Sequence, residues 1–129
     1  MDSLGSAAAS PAIFASSASA DAQVLQAAGQ VIGAVVAAAF TIPIGELRAT
    51  GRRSASIAFA RQTAMYLAHV ALGLNYADVG RAFGRDRTTA AYACRIVEDR
   101  RTDPQLDARL ASLEHLLRRG ALADRAVSR

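Results

Sequence analysis

Residues 76–97 read YADVGRAFGRDRTTAAYACRIV, two stretches of helical character divided by a single glycine, Gly84. A short helix, a tight glycine-containing turn and a second helix form the helix-turn-helix arrangement. Wound at about 100° per residue, the second stretch sorts into two faces. Ala90, Ala93, Cys94 and Val97 fall on one side and are expected to pack on the domain. Thr88, Ala91, Tyr92 and Arg95 fall on the other. Arg85, Asp86 and Arg87 stand at or just before the N-terminus, where a recognition helix meets base edges. Arginine pairs in bidentate fashion with guanine, threonine offers a hydroxyl and a methyl, and a small residue such as Ala91 lets the backbone come close to the groove. Asp86 suits the N-cap, with cytosine N4 as a second partner.

The rest of the chain reads as helix with no strand, so the expected fold class is all-α: a compact helical domain, residues 22–119, built around this turn. Residues 1–21 are an Ala/Ser-rich stretch with Pro11, expected to be a disordered tail, and 120–129 a flexible C-terminal tail. The Ala18-Ser19-Ala20 run resembles a signal-peptidase site, but no basic residue precedes it. Residues 22–45 carry no charge, the next charged residue being Glu46, which raises the question of a membrane span. Gln23, Gln26 and Gln30 at helical spacing and the Gly29/Gly33 pair favour an amphipathic helix that packs closely, ending near Pro43. A short helix at 44–48, a loop at 49–55 and a second long helix at 56–72 follow, the last with Ile57, Ala60, Ala64, Leu67 and Ala71 on one face. Asp103-Pro104 opens the final helix, whose core stripe is Leu106, Leu110, Leu113 and Leu117. Arg100, Arg101, Arg118 and Arg119 read as surface charge, and Tyr66 and Tyr76 as packing residues.

Charge points to a partner. All 15 basic side chains among the 129 residues are arginine, so a P-loop lysine and a Schiff-base lysine are excluded from this sequence. Residues 1–47 hold three acids and no base, whereas residues 48–95 hold eight arginines against two acids. A basic excess concentrated in the middle third is the electrostatic footprint of a polyanion reader. Cys94 is the one cysteine, and His69 and His115 are too far apart in sequence for a metal-ligand pattern. No nucleophile, base and orienting group recur at a catalytic spacing, so neither an enzyme nor a cofactor is expected.

At this point the motifs carry a resemblance. The run FGRDRTTAAYAC resembles the signature of the C-terminal DNA-binding domain of the bacterial replication initiator DnaA. Arg61–Ala68, RQTAMYLA, is similar to that family's preceding helix, Val79–Phe83, VGRAF, to its next element, and Arg52-Arg53-Ser54 to its basic loop. The likeness runs from about Val24 to Arg118. It implies recognition of a short duplex site, the DnaA box. On that resemblance Arg85, Asp86, Arg87, Thr88 and Thr89 face major-groove base edges and Arg53 enters the minor groove. Arg52, Arg61, Gln62, His69 and Arg95 hold phosphates. The sequence departs from the family by a turn one glycine shorter and by Arg87 and Tyr92 in place of histidines. Ala55, Phe59 and His69 stand where basic residues are common. The resemblance implies regulation of replication initiation by a cytoplasmic, nucleoid-associated monomer that binds double-stranded DNA without membrane contact. The alternative is a protein that keeps the shape in order to bind the initiator or one of its regulators.

Overall fold

The computed structural model describes residues 18–40 and 55–128, with side chains over 22–40 and 55–120. Among them are five helices and no strand: α1 (Ala18–Phe40), α2 (Ala55–Val70), α3 (Tyr76–Phe83), α4 (Arg87–Arg100) and α5 (Pro104–Ser128). Residues 1–17 of the tail expected over 1–21, the short helix at 44–48 and the loop with Arg52 and Arg53 lie outside the described residues. Two boundaries differ from the sequence reading. Helix α1 already begins at Ala18, and α5 runs on past residue 119 to Ser128. Both additions are alanine-rich, and alanine has the highest helix propensity. Gly120 interrupts α5 only weakly, since a single interior glycine costs about 1 kcal/mol relative to alanine.

Helix α2 is the centre of the domain. It packs on α1, α3, α4 and α5, and every residue from Thr63 to Ala68 is buried. Such complete burial leaves little room for polar groups, and Thr63 solves its own problem by donating its hydroxyl to the Phe59 carbonyl at 2.8 Å. Around Leu67 the core gathers Ile32 and Val36 from α1, Val79 from α3, Ala90 and Val97 from α4, and Leu110 from α5, none more than 1% exposed. Leu113 and Leu117 extend the α5 stripe. The predicted inner face of α4 is therefore the buried one.

Helix α1 is long and apolar enough to cross a membrane by length and composition alone. Its inner side is engaged with protein, however: Gly29, Ile32, Gly33, Val36 and Ala37 are buried, while Gln23, Gln26 and Gln30 are exposed. A Cβ on Gly29 would lie 2.4 Å from the Ala82 carbonyl oxygen, a distance no real side chain reaches. The missing side chain is what brings α1 down onto the end of α3.

One correction concerns Arg101, which the sequence places on the surface. Its side chain is only 20% exposed. It donates to the Tyr66 hydroxyl on α2 at 2.9 Å, to Asp107 on α5 at 2.6 Å, and to Glu114 one further stretch along α5. Burial alone would lower its pKa, and these three acceptors together more than reverse that. Burial likewise raises the Tyr66 pKa, with Arg101 partly offsetting it. Arg118 adds a second tie between α5 and α2 by donating to the Val70 carbonyl at 3.0 Å.

Candidate nucleic-acid interface

The turn is specified residue by residue. Asn75 caps α3 by accepting from the Asp78 backbone N–H at 2.8 Å, and α3 closes after two turns at Gly84. Gly84 adopts φ 69°, ψ 35°, the left-handed conformation in which glycine escapes the Cβ penalty. Its N–H and that of Arg85 both reach the Gly80 carbonyl, the latter at 2.8 Å. The chain thus folds directly over Gly80, where an added Cβ would meet the Arg85 carbonyl oxygen at 2.5 Å. Gly80 is a residue that motif reading carries along without a role. Its contact is made by residues five and six positions later, which helical periodicity does not reveal.

Asp86 then caps α4, accepting from the Thr89 backbone N–H at 2.8 Å. The hydrogen bond from the Thr89 backbone N–H, then those from its hydroxyl and from the Thr88 backbone, hold the Asp86 carboxyl below its ordinary pKa. Asp86 is therefore ionised across the neutral range and fixed at the helix start. Thr89 is half-buried. Arg87 and Thr88 are exposed.

Along α4 the outward row is Thr88, Ala91, Tyr92 and Arg95; Thr88, Tyr92 and Arg95 are exposed and Ala91 half-buried. Beneath it Ala90, Ala93, Cys94 and Val97 anchor the helix on α2. Burial, with Glu98 adding to it, pushes the Cys94 thiol up to about 11, so it stays protonated and acts as a small apolar residue.

The predicted phosphate contacts fall into three places. Arg61 and Gln62 are half-buried on α2, and Arg61 shares a cleft with Arg85. Arg95 stands apart from them on the outward row of α4. His69 is at the far end of α2, its ring stacked on Tyr76 with centroids 4.5 Å apart. Its Nδ1 is 2.8 Å from the Leu74 carbonyl oxygen. A carbonyl only accepts, so Nδ1 carries a proton. Tyr76 is thus a packing residue with a specific task, holding the His69 ring. The Arg52 and Arg53 positions lie outside the described residues.

Phe59 stands where the resemblance leads one to expect a base, and the structure brings one there from another helix. Phe59 is buried, and the Arg100 guanidinium lies over its ring, 4.6 Å from the centroid. Ala55 remains an exposed apolar position. No group of acids, histidines and cysteine among the described residues is arranged to hold a metal ion.

The sequence that builds this site matches known proteins. The family model described as the bacterial DnaA protein helix-turn-helix matches residues 30–97, just over half of the chain. The chain is 42% identical over 73 residues to the chromosomal replication initiator protein DnaA of Mycobacteroides abscessus. The matched stretch covers 57% of this chain and 15% of that relative, so the chain corresponds to a small part of its length. The chain belongs to the family of the bacterial DnaA helix-turn-helix domain.

Proposed function

We propose that this chain reads a DnaA-box-like duplex, with α4 in the major groove, and so regulates the initiation of chromosome replication by occupying such sites. The observation that carries the reading is the end of α4: Arg87 and Thr88 are exposed beside a capped, rigid turn, on a helix whose opposite face is fully packed. Reading base edges needs side chains held in fixed positions, and the cap and the Gly84 turn supply that support. Arg87 and Thr88 take the most direct base contacts. Thr89, half-buried and bonded to Asp86 through its backbone N–H, offers its side chain to a base edge. Arg85 and Asp86 complete the reading end, and Arg53 enters the minor groove. Arg52, Arg61, Gln62, His69 and Arg95 hold phosphates and set the register without specifying sequence. The site is read by one copy of the domain, in the cytoplasm at the nucleoid, and binding needs no nucleotide hydrolysis.

Footprinting on a fragment that holds one DnaA box tests this. Protection confined to the box supports the reading. Uniform protection, or none at concentrations where the full initiator protects the box, would reject it. None would favour the second reading, contact with the initiator or one of its regulators, for which the uncharged Ala55 is the supporting observation.

A further inference from the structure

Asp86 stands between two arginines and pairs with neither. Its carboxyl accepts from the Thr89 backbone N–H at 2.8 Å. The Arg85 and Arg87 guanidinium groups make no ion pair or hydrogen bond among the described residues. Most arginines of the domain are engaged by contrast. Arg81 pairs with Asp78, Arg101 with Asp107 and Glu114, and Arg118 with Glu114. Arg100 and Arg109 lie over the rings of Phe59 and Phe40. Of the two arginines that flank Asp86, Arg85 is half-buried and Arg87 exposed.

Arg87 also opposes its own helix. It is the first residue of α4, and no acid stands in that first turn. The N-terminal end of a helix dipole is positive, so a cation there destabilises the helix start. Neither the cap nor the packing calls for arginine, since Asp86 caps α4 and Ala90, Ala93, Cys94 and Val97 anchor it. A local conflict that the fold does not use marks a functional position.

The donor pattern of that side chain decides which base it can hold. A guanidinium presents its donors in a fixed fork and has no acceptor. In the major groove guanine shows two acceptors, O6 and N7. Adenine pairs an acceptor with a donor, thymine shows one acceptor, and cytosine shows a donor. A neutral histidine, which the resemblance leads one to expect at this position, has one donor and one acceptor and cannot fill both guanine acceptors. Ala91, one turn along on the same side, adds only a methyl beside the fork. We infer that Arg87 selects a guanine, so that the duplex site this chain prefers differs at one base pair from the site of relatives with histidine there. This inference rests on the proposed function and narrows it. The chain and an initiator with that histidine divide the available sites between them, rather than competing equally for all.

The test uses the whole chain with the variants Arg87→Gln and Arg87→His. Duplexes carry one DnaA box in which each base pair in turn is changed to the other three. Affinities are measured by fluorescence anisotropy at one salt concentration. Both variants lose a charge at the helix start, so thermal melts are expected at or above the wild-type temperature, which verifies the fold. At one position the wild type is expected to bind guanine roughly tenfold tighter than any other base. Arg87→Gln is expected to move that preference to adenine, the base a glutamine holds in bidentate fashion, and Arg87→His to abolish the preference for guanine. A role in charge alone lowers affinity for every duplex by one factor and leaves the ratios within the series unchanged. Unchanged ratios in a wild type that still discriminates elsewhere would overturn the inference and leave the proposed function standing. A base other than guanine preferred at the position where the variants differ would overturn it as well. A wild type that discriminates at no position would reject the proposed function and the inference together.

Discussion

Thr88 and Asp86 are neighbours but one apart, and they do different jobs. Thr88 is exposed at the first turn of α4 and has no part in the cap through its side chain, so on the proposed reading Thr88→Ala removes a base contact and leaves the helix start intact. The expected cost is about 1–3 kcal/mol on box DNA and little on a scrambled duplex, read from paired titrations. An equal loss on both would move Thr88 to the phosphate class. Asp86→Ala instead removes the cap. Its carboxyl has a depressed folded pKa, so the stabilisation is present above the ordinary carboxylate range and is lost as pH falls through the depressed value. The melting temperature of Asp86→Ala is thus expected below wild type at neutral pH, with the gap closing in acid. A gap that persists unchanged at low pH would contradict this assignment.

At the level of elements, the turn depends on two glycines for different reasons. Gly84 needs a left-handed backbone but has open space around it, with nothing within 4 Å of an added Cβ. Gly84→Ala is expected to cost about 1 kcal/mol, from backbone strain alone. Gly80→Ala puts a methyl into the Arg85 carbonyl, so the turn has to move. It is expected to destabilise by more than Gly84→Ala and to abolish box preference while non-specific binding persists. Chemical denaturation and the paired titrations check both, and equal effects from the two substitutions would refute the distinction. The caps and the two faces of α4 are legible in the sequence because they depend on residues at most four apart. The contact at Gly80 is not, because it is set by how the turn closes over α3. The early start of α1 and the long α5 are missed for a different reason: alanine-rich segments carry helix propensity but no apolar stripe, so periodicity does not report them.

For the molecule as a whole, α5 has no part in the proposed reading of DNA, and its value lies in how it holds α2. Arg101 makes that connection, with acceptors 6, 13 and 35 residues away in sequence. Separations of that kind leave no local pattern, which is why a doublet such as Arg100-Arg101 reads as surface. The two arginines in fact diverge, Arg100 over Phe59 and Arg101 into the Tyr66–Glu114 cluster. Arg101→Met keeps much of the packing but leaves the half-buried Glu114 without its partner. A loss of about 2 kcal/mol in unfolding free energy is expected, below the range for fully buried pairs because Arg101 keeps some solvent. Box affinity in the folded variant should be unchanged. A neutral effect on stability would mean that water replaces the pair.

The central claim is that the fixed end of α4 reads sequence, beyond the attraction of a basic surface for any polyanion. Fluorescence anisotropy of the purified chain, on a duplex with one DnaA box and on its scrambled counterpart, tests it most directly when run from about 50 mM to about 200 mM salt. Binding by charge alone weakens steeply over that range and treats both duplexes alike. The account predicts that both affinities fall with salt while the preference for the box survives. Two curves that coincide at every salt concentration would contradict it.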